Sequence, residues 1–171
     1  MNEKLKKLNQ AATETAEIEF LNCCGSQTWA RRMTEARPFA DVAALVTQAE
    51  RIWSNLDARD WLEAFAAHPK IGAEKSVSHQ SAQFAEWSRG EQSGTQTAAE
   101  FILDELAKAN NLYERKFGYI FIVCATGKTA EEMLGVCRER LKNDADSELR
   151  IAADEQRKIT EIRLKKLLEI E

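Results

Sequence analysis

The sequence predicts an all-α protein, built as a single compact multi-helix domain with one buried extended segment near residues 117–125. Glycine and proline are scarce, with seven and two among 171 residues, whereas helix formers such as alanine, glutamate, leucine and lysine are abundant. Apolar residues also recur at spacings of three and four along most of the chain, as on the buried face of a helix. No repeat, low-complexity tract or linker divides the chain, so one domain is expected over residues 1–171.

Three helical segments are expected in the first third of the chain. Residues 3–23 carry apolar side chains at helical spacing and predict a first helix. A short helical piece is expected around Trp29, ahead of the turn at residues 37–39. From Asp41 onward, apolar residues repeat at three and four as far as Leu56, which is typical of a strongly amphipathic helix.

The next helix is expected to end near His68. It can begin at Asp57 or Asp60, since aspartate is a favoured residue at a helix N-terminus. It is expected to end there because Pro69 pushes the residue before it out of the helical region.

The second half of the chain alternates polar stretches with helices. Residues 70–80 are polar and are expected to be irregular, and residues 81–88 are expected to be helical. Thr97 and Thr129 each precede a glutamate by three residues, which is the capping-box pattern at the start of a helix. A last long helix is expected from about residues 144–147 almost to the end.

Residues 117–125, with the sequence Phe-Gly-Tyr-Ile-Phe-Ile-Val-Cys-Ala, are the one β-like run. A lone strand cannot form a sheet, and the sequence shows no second convincing strand. We therefore expect a buried extended segment or a distorted helix at this place.

Charge and hydropathy argue against nucleic-acid and membrane partners. The net charge is −4 and the pI about 5.4, whereas nucleic-acid binders usually present a basic face. No apolar run reaches the roughly 18 residues of a membrane span, and the polar first residues do not resemble a signal peptide. The cysteines at positions 23, 24, 124 and 137 lack the Cys-x-x-Cys spacing. A reducing cytoplasm is the expected compartment, with the thiols not joined in disulfides and mostly buried.

The sequence argues against a transition-metal site and against a glycine-rich phosphate-binding loop. It has two histidines, His68 and His79, whereas zinc and iron sites usually need clusters of histidine and cysteine. Residues 127–129, Gly-Lys-Thr, end like a phosphate-binding loop, but Ile122 stands where that loop requires its first glycine. An all-carboxylate magnesium site is the alternative left open.

His68 is a candidate catalytic residue because of its position. It follows an apolar helix and precedes Pro69, so its imidazole is held at the edge of a constrained loop. An imidazole with a pKa of about 6.5 can donate or accept a proton at neutral pH. The alternative is a histidine that only bonds backbone carbonyls at the helix end, and the residues alone favour that alternative.

Residues 88–94, Ser-Arg-Gly-Glu-Gln-Ser-Gly, are a second candidate. They group a hydroxyl, a carboxylate and a carboxamide between glycines that let backbone N–H groups approach a ligand. Taken alone, a polar surface turn explains them better.

Arg163 is the third candidate, on the last helix. It lies four residues from Ile159 and four from Leu167, so it interrupts an apolar stripe and should point inward. A buried guanidinium meets either a carboxylate or an anionic ligand. An internal salt bridge or a side chain that reaches to the surface explains it about as well.

These three places also carry a resemblance to a known family. Three segments look like motifs of 2-oxo-4-hydroxy-4-carboxy-5-ureidoimidazoline (OHCU) decarboxylase: residues 67–72 (Ala-His-Pro-Lys-Ile-Gly), 88–94, and 113–121 (Tyr-Glu-Arg-Lys-Phe-Gly-Tyr-Ile-Phe). Residues 37–39, 140–143 and 159–164 fit in the same order, so the resemblance spans about residues 15–168.

The resemblance implies an all-helical enzyme, expected as a homodimer, in the third step from urate to (S)-allantoin. Such an enzyme releases CO2 from OHCU and protonates the resulting carbanion on one face, with no metal or organic cofactor. Carried over by motif, His68 is the catalytic histidine and Glu91 its catalytic carboxylate partner. The implied substrate-binding positions are Pro69, Ser88, Arg89, Gly90, Gln92, Ile122, Val123, Cys124, Ala125, Thr126 and Arg163.

The chain departs from the family pattern at a few positions. Lys70 and Ile71 stand where many members have Asp-Leu, Ser93 where alanine is frequent, and Ile120 where proline is common. These changes affect the fine substrate contacts and remove no implied catalytic group. Two alternatives remain: a helical binding module that keeps the fold without catalysis, and a decarboxylase of a related ureido or imidazoline acid.

Overall fold

The computed structural model of the chain describes residues 2–70 and 100–170, and within them every regular element is an α-helix. The predicted all-α fold is therefore confirmed. The eight helices of the described residues are α1 (Glu3–Gln10), α2 (Thr13–Cys24), α3 (Gln27–Glu35), α4 (Val42–Ser54), α5 (Ala58–Ala66), α6 (Glu100–Phe117), α7 (Ala130–Arg140) and α8 (Ala145–Leu167). The irregular stretch after residue 70, the helix over residues 81–88 and the capping box at Thr97 were predicted for residues that lie largely or wholly outside those described. None of the described helices is long and apolar enough to cross a membrane.

The chain divides into two compact units. The first unit contains residues 1–64 and 157–171, and the second contains residues 65–156. In the first unit, Phe20 meets the rings of Trp29 and Phe39 edge-on, with centroids 6.0 and 6.3 Å away. Buried aromatic rings in this arrangement supply a large apolar area and a defined packing geometry.

The single helix predicted over residues 3–23 is wrong, because the structure has two helices there. Helix α1 ends at Gln10, and Ala11 and Ala12 adopt extended backbone angles. The Arg37 Nη1 atom donates to the carbonyl oxygens of Leu8 and Ala11 at 2.7 and 2.9 Å. A guanidinium distant in sequence thus satisfies carbonyls at the end of α1 that no helical amide bonds, and the helix ends there.

Side-chain caps set where three of the other helices begin. The Ser26 hydroxyl accepts from the Trp29 amide at α3, and an Asp41 carboxylate oxygen accepts from the Ala44 amide at α4. At α5 the Asp57 carboxylate accepts from the amides of residues 59 and 60, at 2.9 and 3.1 Å. Of the two aspartates considered for this start, Asp57 is therefore the one that caps the helix.

The second unit is built around Tyr113 and the segment that follows α6. Residues 121–125 are buried but belong to no helix or strand, so the predicted buried segment is confirmed, while Phe117 is the last residue of α6. The Tyr113 ring lies 4.7 Å from the Phe117 ring and 5.2 Å from the Phe121 ring, measured between centroids. This aromatic packing fixes the segment against α6 although the segment has no regular backbone pairing.

The capping box predicted at Thr129 is confirmed. The Thr129 hydroxyl accepts from the Glu132 amide at 3.2 Å, and the Glu132 carboxylate accepts from the Thr129 amide at 2.7 Å. Both bonds satisfy amides at the start of α7 that have no partner within the helix.

Replacing Thr129 by alanine should lower the free energy of unfolding by about 1 kcal/mol, because it leaves one of these amides unsatisfied. Urea denaturation followed by circular dichroism measures the change. Thr129→Ser keeps the hydroxyl and is the matched control, expected to unfold close to the wild-type urea midpoint. Equal losses in the two variants would contradict the capping role.

Candidate active site

His68 lies just beyond the C-terminal end of α5. Its amide donates to the carbonyl oxygen of Phe65 at 3.1 Å, which closes the last turn before Pro69. Phe65 is fully buried, and its ring lies 5.3 Å from that of Tyr119. The backbone that carries His68 is therefore anchored on one side by the packing of buried Phe65 against half-buried Tyr119, and is restricted on the other side by proline.

The imidazole of His68 meets a side chain from α8. Its Nε2 atom lies 2.6 Å from the carboxamide oxygen Oε1 of Gln156, while His68 is half-buried and Gln156 is fully buried. A bond of this length between a buried carboxamide and an imidazole fixes the orientation of the ring. Gln156 was not among the predicted site residues. Its spacing could have identified it, because it lies seven residues before Arg163 and therefore on the same face of the helix.

The segment implied to bind substrate, residues 122–126, is held by three side chains. Arg140 Nη1 donates to the carbonyl oxygen of Ile122 at 2.7 Å. The Cys124 amide donates to Glu155 at 2.7 Å, and the Cys124 carbonyl oxygen accepts from Lys128 Nζ at 2.8 Å. Residues 122–125 are buried and Thr126 is exposed. The path of this backbone is thus set by charged groups rather than by a sheet.

Arg140 belongs to a buried polar network. Its Nε atom donates to Glu148 at 2.7 Å, and Glu148, which is fully buried, also accepts from the Tyr113 hydroxyl and from Asn143 at 2.8 Å. Burial raises the pKa of Tyr113 above its usual range, so the phenol keeps its proton and donates it to the carboxylate. Burial alone would lower the pKa of Arg140, but its hydrogen bond to Glu148 raises it, and the guanidinium remains charged.

Arg163 is fully buried in the first unit, as its phase on the last helix predicted. It lies near Cys24, whose thiol has a pKa raised by burial to about 12, with smaller opposing effects that include the Thr160 hydroxyl and the Arg163 charge. The four cysteines are all buried, as expected, and no disulfide joins them. Whether Arg163 contacts a substrate stays a prediction.

The structure places part of the predicted site. His68, Pro69 and residues 122–126 belong to the second unit, and Arg163 to the first. The predicted positions Ser88, Arg89, Gly90, Glu91 and Gln92 lie outside the described residues. Over residues 2–70 and 100–170, no group of three or more histidine, cysteine, aspartate or glutamate side chains is arranged to hold a metal ion.

The fold and the described part of the site define an all-helical protein in which one compact unit contains both a histidine held in a fixed orientation and a buried segment fixed by charged side chains. The chain belongs to the OHCU decarboxylase family, whose sequence pattern matches residues 9–165. A crystal structure of OHCU decarboxylase in the presence of (S)-allantoin is 42% identical, covers 89% of this chain and 98% of its own, and superposes with a TM-score of 0.76.

Two relatives show how this chain compares in length with other members. The uric acid degradation bifunctional protein TTL of Arabidopsis thaliana is 48% identical over 158 residues, which are 91% of this chain and 48% of the relative. The chain therefore spans about half the length of that bifunctional protein. The 2-oxo-4-hydroxy-4-carboxy-5-ureidoimidazoline decarboxylase of Haloferax volcanii is 23% identical over 169 residues, which are 94% of this chain and 93% of the relative.

Proposed function

We propose that the chain is a carboxy-lyase that converts OHCU to (S)-allantoin and CO2 in urate degradation, without a cofactor. The observation that carries the proposal is the family match over residues 9–165. It is supported by the 42% identical decarboxylase structure, which this chain spans almost completely. We further propose that the chain acts as one domain, in the cytoplasm and as a homodimer.

The chemistry of the substrate explains why side chains alone can suffice. The carboxylate of OHCU sits on a ring carbon that also bears a hydroxyl, beside imine-like and carbonyl groups. When the bond to the carboxylate breaks, CO2 leaves and the electron pair is delocalised into the ring. The protein must then hold the ring, stabilise the charge and deliver one proton to one face of the neighbouring ureido-bearing carbon, which becomes the CH stereocentre of allantoin. The hydroxyl proton moves to the ring nitrogen as the hydroxyl carbon becomes a carbonyl.

We assign the proton to His68, whose ring is held by Gln156 at 2.6 Å. An imidazole changes protonation state near neutral pH, so it can take up the proton again after each turnover. Glu91 is proposed as its carboxylate partner, and Arg163 as a cation for the ureido or carbonyl oxygens of the substrate. We propose that the ring of the substrate is lined by Pro69, Ser88–Gln92 and Ile122–Thr126.

A stereochemical assay tests this proposal. OHCU should be generated freshly from urate and mixed with the protein, and the circular dichroism of allantoin followed with time. Spontaneous decay of OHCU gives racemic allantoin, so an optical signal of the (S) enantiomer that grows with protein concentration supports the proposal. Racemic product at the spontaneous rate would contradict it, and turnover of only a related ureido acid would correct the substrate.

Exhaustive treatment with a chelator should leave this activity unchanged, because the proposed reaction uses protein groups alone. The control is untreated protein carried through the same buffer exchange. Activity that falls on chelation and returns with added Mg2+ would contradict the cofactor-free reaction and would favour an all-carboxylate metal site.

A further inference from the structure

We propose that Gln156 is a positioning residue that holds His68 as the Nε2–H tautomer and thereby makes Nδ1 the nitrogen that exchanges the proton. The part of this inference that concerns turnover rests on the proposed function. The part that concerns the tautomer rests only on the contact between the two side chains.

The direction of the hydrogen bond follows from its atoms. The carboxamide oxygen of Gln156 has no hydrogen and can only accept, so the His68 Nε2 atom that faces it at 2.6 Å must be the donor. A neutral imidazole carries one ring hydrogen. If that hydrogen is on Nε2, the lone pair is on Nδ1, and protonation takes place at Nδ1.

The position of Gln156 makes this bond energetically important. The residue is fully buried in the middle of α8, and three of its neighbours in the same helix, Ala152, Ala153 and Ile159, are buried apolar residues. A buried carboxamide without a hydrogen bond costs free energy, so the bond stabilises both the glutamine and the ring orientation. The imidazole ring cannot flip without breaking this hydrogen bond.

A neutral partner suits a group that must change its charge in every cycle. A carboxylate at this position, in addition to the proposed Glu91, would further favour the imidazolium and hold the proton on the ring. A carboxamide oxygen accepts from Nε2–H in the neutral ring and in the cation alike, so the geometry is the same before and after proton transfer. Gln156 therefore fixes the reactive nitrogen and leaves the proton exchangeable.

Nitrogen-15 NMR of histidine-labelled protein tests the tautomer directly. The chain has only two histidines, so His79→Gln assigns the His68 signals by elimination. Above the pKa of the ring, the wild-type spectrum should show a protonated Nε2 and an unprotonated Nδ1. A wild-type spectrum with the hydrogen on Nδ1 would overturn the inference without any variant at Gln156.

Three variants on α8 test whether the hydrogen-bond acceptor of Gln156, rather than the packing of its side chain, determines the tautomer of His68. Gln156→Met keeps the length of the side chain but has no strong acceptor, and should give a mixture of tautomers. Gln156→Glu keeps an acceptor oxygen and should retain Nε2–H. Thr160→Val makes a similar polar-to-apolar change at a buried residue four positions further along, and should leave the His68 signals unchanged. The same tautomer in Gln156→Met as in wild type, or loss of Nε2–H in Gln156→Glu, would overturn the inference.

Turnover gives the second measurement. Gln156→Met should lower kcat about tenfold with little change in KM, as expected when one hydrogen bond that selects the reactive form is lost. An unchanged kcat in a variant whose tautomer has changed would overturn the part of the inference that concerns turnover. If wild-type protein shows the Nε2–H tautomer but does not turn over OHCU, the proposed function fails and the tautomer assignment stands.

Discussion

Replacing His68 by alanine is expected to lower the turnover of OHCU by roughly 10²–10⁴-fold, the range associated with loss of a general acid or base. The proposed reaction needs one proton at one face of the ureido-bearing ring carbon, and the imidazole held by Gln156 is the group assigned to deliver it. The product that still forms should be racemic, because spontaneous decay then supplies it. Circular dichroism of the allantoin separates the two routes.

The fold should survive this change with a measurable cost. His68 is half-buried and lies outside α5, so its removal leaves the helix intact. It does leave the buried Gln156 without this hydrogen bond, which should lower the free energy of unfolding by about 1–3 kcal/mol. His79→Ala is the matched control and should keep both turnover and stereospecificity. Turnover within a factor of about two of wild type in folded His68→Ala would refute the assigned role.

The helices were predictable from sequence because their signals are local. The cap at Asp41 and the capping box at Thr129 act within three residues, and the spacing of apolar residues identifies a helix without knowledge of its neighbours. The break between α1 and α2 was not predictable in this way. It depends on Arg37, which bonds carbonyls 26 and 29 residues earlier in the chain.

In the candidate site, too, local features were predictable from the sequence and contacts between distant residues were not. His68 and Arg163 could be singled out from their place on a helix, because a proline after the one and apolar neighbours around the other are local features. The bond between His68 and Gln156 joins residues 88 apart, and that between Tyr113 and Glu148 joins residues 35 apart. The phase of an inward polar residue can be read from sequence, but its partner is determined by tertiary structure.

Replacing Glu148 by alanine is expected to lower the free energy of unfolding by roughly 3–5 kcal/mol, a large part of the stability of a typical domain. Glu148 is fully buried and accepts from Arg140, Tyr113 and Asn143. Its loss leaves the buried guanidinium of Arg140 without a counter-charge and leaves a buried phenol without this acceptor. Urea denaturation measures the effect.

An exposed ion pair provides the control for this prediction. Glu139 bonds Lys142 at 2.7 Å, but both side chains are about 70% exposed (73% and 70%), so solvent screens their attraction. Glu139→Ala should therefore leave the urea midpoint nearly unchanged. A loss in Glu148→Ala no larger than that in Glu139→Ala would show that the buried network contributes little.

A double variant separates the contribution of this network to stability from its contribution to the position of residues 122–126. Arg140→Met combined with Glu148→Leu removes both charges together, so it should regain much of the stability that Glu148→Ala loses. It also removes the Arg140 bond to the Ile122 carbonyl, one of the contacts that fix the segment implied to bind substrate. We therefore expect KM for OHCU to rise while the protein stays folded. Wild-type KM in a stable double variant would show that the segment keeps its position without Arg140, and that the network serves stability alone.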